Sequence, residues 1–91
     1  MTVRWTPRAL ADIQSVHQYI AGDKPDPAPG VVERILAGID ALTRHPEMGR
    51  PGRVRGAREL IVPPFVVAYR VTEAIEVVAV IHGRRRWPTS L

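Results

Sequence analysis

The rhythm of apolar and polar positions changes twice along the chain. Thr2-Val3-Arg4-Trp5 alternates residue by residue, as a short strand does. Thr6-Pro7 then predicts a helix start, with threonine as N-cap and proline at the first helical position, where its missing N–H costs nothing. Leu10, Ile13, His17 and Ile20 follow at spacings of three and four, with Val16 beside them, and the helix is expected to stop near Ala21-Gly22. After a proline-rich loop, Asp26-Pro27 is a candidate cap for a second helix, with Pro29 tolerable only in its first turn. From Val31 the stripe Val32, Ile35, Ile39, Leu42 is clear, and the two helices are expected to pair as a hairpin. Stripes of this kind are core, and His17 is read as a core or boundary residue.

Beyond Leu42 the helical period disappears. Residues 44–56 read as an irregular linker, with prolines 46 and 51, glycines 49, 52 and 56, and arginines 44, 50, 53 and 55. Three β-branched runs follow: Ala57 to Val62, Phe65 to Val71, and Ile75 to Ile81. Pro63-Pro64 and Thr72-Glu73-Ala74 separate them as turns. The expected architecture is α+β in the order β-α-α-β-β-β, a single domain over residues 1–91, with the helical hairpin on one face of a small antiparallel sheet. The last two runs are apolar at nearly every position, which means that both faces of the sheet are covered. Two helices cover one face, so a partner chain is expected on the other, with a sheet curled closed on itself as the alternative.

Composition narrows the function classes. No cysteine is present, which removes a disulfide framework and a thiolate zinc site. Histidines 17, 45 and 82 lack metal spacing and do not cluster with carboxylates, so neither metal nor cofactor is expected. The longest apolar run is too short for a membrane span, and Met1 to Arg4 lacks a signal-peptide core, so the expected location is the cytoplasm. The formal charge of +4 lies entirely in the second half. Residues 1–43 carry four basic and five acidic side chains, and residues 44–91 carry nine and four. Twelve of the thirteen basic residues are arginine, suited to phosphate or carboxylate. The cluster His82-Gly83-Arg84-Arg85-Arg86-Trp87 is the candidate contact surface, with Arg58 beside it as either a target contact or an ion-pair partner of Glu59. Trp87 is read as stacking on a base or packing against Trp5.

The element order, together with particular words, resembles the RelE/ParE superfamily of toxins from type II toxin–antitoxin operons. Those words are Trp5 to Pro7 with Ala9, Leu10, Asp12 and Ile13; Tyr19-Ile20; Leu42 with His45 to Arg50; Gly56 to Leu60; Val67 to Val71; and Val80 to His82 followed by Arg85 to Pro88. The resemblance implies a toxin neutralised by a cognate antitoxin whose C-terminal segment wraps the helical hairpin and sheet. Here that surface maps to Leu10, Ile13, Phe65, Val67 and Tyr69. Operator DNA would be reached only through the antitoxin.

Two targets follow from two branches. The ribosome-dependent endoribonucleases commonly carry an arginine on the middle of the last three strands, another after the final strand, and a C-terminal tyrosine or histidine. This sequence has Val66 at the first position and Arg85, or Arg84 in a shifted register, at the second. It lacks the tyrosine, which leaves His82 and Arg85 as candidate catalytic residues. The ParE-like branch poisons DNA gyrase without a nuclease site and accepts an apolar residue at Val66, so it is favoured. Its target-binding candidates are Arg58, Arg84, Arg85, Arg86 and Trp87. A non-toxic module that only binds its antitoxin is the third reading.

Overall fold

The computed structural model of the chain describes residues 1–21, 30–84 and 87, with the side chains of 19–21 left aside. The expected elements form where the patterns place them. Strand β1 spans Thr2–Trp5, helix α1 Pro7–Ala21 and helix α2 Val31–Leu42. Strand β3 spans Arg58–Val62, β4 Phe65–Val71 and β5 Ala74–His82. The threonine cap is made: Thr6 Oγ1 accepts the Ala9 amide at 3.1 Å and donates to the Val78 carbonyl at 3.2 Å. One side chain thus starts the helix and pins it to the sheet. Helix α2 begins instead behind Gly30, which takes a left-handed φ of 81°. The Asp26-Pro27 cap and Pro29 lie outside the described residues.

The sheet differs from expectation in two ways. It has five strands in the order β1-β5-β4-β3-β2, and it is mixed, because β1 runs parallel to β5. The extra strand β2 is the pair Arg50–Pro51 inside the supposed linker, antiparallel to Arg58 and Glu59. Its proline is tolerated because β2 is an edge strand.

Helix α2 buries the stripe its sequence predicts: Val32, Ile35, Ile39 and Leu42, with Val31 added. Helix α1 is rotated from its predicted stripe. Ala9 and Val16 are buried, whereas His17 is exposed and Leu10 is 48 % exposed. The cause is Asp12, whose Oδ2 accepts the Val80 amide at 2.9 Å, so a polar residue faces the sheet.

Both sheet faces are covered, but not as expected. The helices cover Val62, Val67, Val77 and Val80. On the opposite face Val66, Ala68, Val78, Ala79 and Ile81 are buried with no second chain present. Trp87 of the same chain packs on the cluster of Ala68, Val78, Ala79 and Ile81. The expectation that a partner must cover this face is therefore corrected. A register shift between Ala68 and Tyr69 skips Val78 in the ladder, which puts Val78 and Ala79 in one cluster and explains the unbroken apolar run.

Candidate functional site

Side-chain chemistry gathers at the end of β5 and in the loop before β3. Glu59 is the only buried charged residue among those described, 2 % exposed in the middle of β3. Such a carboxylate must be paired, and two loop arginines pair it. Arg50 reaches Oε1 at 3.0 Å, Arg53 Nε reaches Oε2 at 3.1 Å, and the Arg53 backbone amide donates to Oε2 at 2.8 Å. Burial pushes the Glu59 carboxyl upward, but the bonds from Arg53 and Arg50 outweigh it and hold the group below its usual range.

Arg53 also stacks on Trp87, with its guanidinium carbon 4.0 Å from the ring centre. Glu59, Arg53 and Trp87 therefore form one chain of contacts that holds the indole on the sheet. The expected Arg58–Glu59 pair does not form. Arg58 turns to the backbone instead, donating to the Gly49 and Glu47 carbonyls. Tyr69 braces the same turn: its hydroxyl donates to the Pro46 carbonyl at 2.7 Å and accepts the Gly49 amide at 3.0 Å.

His82 lies at the other side of the site. Its ring meets Phe65 edge to face, with centroids 5.5 Å apart. The Arg84 backbone amide donates to His82 Nδ1 at 3.1 Å. His82 and Arg84 line an open cleft of about 360 Å³ with Asp12, Ser15, Val16, Phe65 and Val80. Asp12 bonds to Val80 and pairs with Arg8 at 3.5 Å. No hydrogen bond joins His82 to Asp12 or Ser15 among the described residues, so these three form no nucleophile–base relay.

The predicted site residues divide sharply. Val67 and Tyr69 are 0 % exposed and give a docking partner no surface. Leu10 is exposed, while Ile13 and Phe65 lie half-buried at the rim of the helix–sheet core. Arg84 is exposed, Arg58 is committed to backbone carbonyls, and Arg85 and Arg86 lie outside the described residues. Trp87 packs on the sheet face opposite Trp5, which belongs to the helix side, so the predicted Trp5–Trp87 contact is absent. Among the described residues, no group of three His, Cys, Asp or Glu side chains could hold a metal. No helix among them is long and apolar enough to cross a membrane.

Comparison with known proteins decides the family. Residues 3–87 match the family described as the ParE toxin of the type II toxin–antitoxin system parDE. The chain belongs to the ParE toxin family. It is 41 % identical over 91 residues to the Y4kP protein of Sinorhizobium fredii, covering 98 % of this chain and 95 % of that protein. Toxin RelE2 of Caulobacter vibrioides is 33 % identical over 84 residues, 91 % of this chain and 96 % of the relative. Among solved structures, a chain of the chromosomal ParDE system of P. aeruginosa superposes with a TM-score of 0.72 at 27 % identity, covering 90 % of this chain and 95 % of that one. A YoeB/ParE toxin from Agrobacterium tumefaciens shares the fold with a TM-score of 0.68 at 21 % identity, over 90 % of this chain and 98 % of that one. The chain is therefore a toxin of the RelE/ParE superfamily, and its family implies a cognate antitoxin as partner.

Proposed function

We propose that this toxin arrests growth by poisoning DNA gyrase in the cytoplasm, through protein contacts and without a nuclease site of its own. The observation that carries this reading is the apolar Val66 at the middle-strand position where cleavage would call for a cation. A ribose 2′-hydroxyl must lose a proton to a base, and the phosphate's developing charge must meet free cations. Val66 is apolar and only 5 % exposed at the middle-strand position, where an arginine would face a phosphate. Arg50 and Arg53 are both held on the one carboxylate of Glu59, and Arg58 donates to two backbone carbonyls. The Arg84 backbone amide occupies Nδ1 of His82. Until gyrase is met, an antitoxin holds the chain inactive, and Leu10, Ile13 and Phe65 are the accessible part of the surface assigned to it. Operator DNA is contacted only through that antitoxin.

The reading is tested by adding the purified chain to gyrase, ATP and relaxed plasmid, in parallel with primer extension on a ribosome-bound transcript. Lost supercoiling with an intact transcript is expected, and H82A should retain full toxicity in cells. Cleavage within translated codons, abolished by H82A, would overturn the proposal in favour of the endoribonuclease.

A further inference from the structure

The loop around β2 carries more positive charge than its one carboxylate absorbs. Between residues 50 and 59 stand Arg50, Arg53, Arg55 and Arg58 against the single acidic side chain of Glu59. Arg58 turns away to backbone carbonyls. Arg50 and Arg53 share Glu59, whose Oε1 accepts from Nη2 of both at 3.0 and 3.4 Å, so their guanidinium groups lie side by side. The carboxylate is 2 % exposed, whereas the two arginine side chains are 57 % and 43 % exposed. Each arginine turns Nε and Nη2 inward, and neither Nη1 makes a bond among the described residues. Arg55, exposed in the same loop, has no ion pair among those residues.

We propose that Arg50, Arg53 and Arg55 form a binding site for the phosphodiester backbone of duplex DNA, taken without regard to base sequence. The buried carboxylate fixes two guanidinium groups before any ligand arrives, so less freedom is lost for each hydrogen bond formed. The Nη1 edges then meet phosphate oxygens in charge-assisted bonds. Single strands are bound by stacking their bases on aromatic rings. Trp87, the ring beside this pair, is packed on the sheet and capped by Arg53, so it offers no such platform. A protein partner would call for a desolvated apolar anchor, and the aliphatic side chains of the loop, Val54 and Ala57, are buried. DNA has no 2′-hydroxyl, so binding here entails no cleavage. Backbone contacts carry no base information, and recognition of operator sequence stays with the antitoxin. That the duplex is the one gyrase holds rests on the gyrase reading; the backbone contact itself does not.

The test is fluorescence anisotropy of two labelled DNA duplexes of unrelated sequence, titrated with the purified full-length chain between about 50 and 200 mM salt. Both duplexes should bind equally, with Kd of roughly 1–100 μM, the range of sequence-independent contacts. R50Q and R55Q should each weaken binding about five- to tenfold at about 0.1 M salt. Each should also lower the slope of log K against log salt by about 0.9, as for one lost phosphate contact. R55Q disturbs no ion pair among the described residues, so it decides the matter should R50Q loosen the loop. Supercoiling is assayed apart, and a chain that binds duplex but leaves gyrase active sinks the gyrase reading alone. No duplex binding, a preference for one sequence, or unchanged binding in both variants would each overturn the proposal. So would tighter binding of a single-stranded oligonucleotide or of a polyglutamate peptide.

Discussion

Glu59 is the residue on which most of the loop chemistry converges. Its oxygens accept from two arginines and one backbone amide, so E59Q should weaken the chain by about 2 kcal/mol, the range for hydrogen bonds to a charged group. Its pKa lies lower in the folded chain than the ordinary carboxyl value of about 4.3. The stabilisation is therefore fully present above that value and is lost as pH falls through the folded pKa. Urea unfolding between pH 7 and pH 2 should show an acid-side loss in the native chain that E59Q lacks. This cluster was only half legible in the sequence. A lone glutamate amid apolar strand residues signals a buried charge, but its nearest basic neighbour, Arg58, is the wrong partner. Successive strand residues point to opposite faces, so Arg58 and Glu59 cannot meet. The true partners come from a loop that only the β2 pairing folds back over β3. Tyr69 and Val67 failed as surface candidates for a similar reason: strand patterning marks them as apolar without saying which face the helices take.

Elements were more readable than their partners. The Thr6 cap, the α2 stripe and four of the strands were set by local spacing and turn chemistry, which act within a few residues. T6A should cost about 1–2 kcal/mol in thermal unfolding, toward the upper end for a lost N-cap because the same hydroxyl also holds β5. The face of α1 was misread because Asp12 and Leu10 exchange their usual preferences. A tertiary bond to the Val80 amide satisfies the aspartate and turns Leu10 outward. The parallel β1–β5 ladder had no local signal at all, since its two sides come from opposite ends of the sequence.

At the scale of the whole molecule, the chain closes its own second face. Trp87 covers Ala68, Val78, Ala79 and Ile81 and takes Arg53 on its ring. Its indole Nε1 is buried without a hydrogen-bond partner among the described residues, which offsets part of that gain. W87A should lower stability by about 2 kcal/mol, less than for a fully satisfied buried tryptophan. It should also raise binding of an apolar-surface dye, and unchanged dye binding would mean that the face is covered some other way. Apolar patterning showed correctly that both faces were covered, but a single tryptophan after a run of arginines gave no hint that it was the cover.

The parallel pairing of β1 with β5 has a consequence for how such a toxin comes into being. Thr6 bonds to Val78 across 72 positions of sequence, and β1 pairs with no other strand. Everything made before Ala74 lacks the strand that joins β1 to the rest of the sheet. Contacts of such separation form late, because the loop they close must first be ordered. A nascent chain that stalls or is clipped before β5 emerges therefore holds both helices and most of the sheet, yet has no closed core.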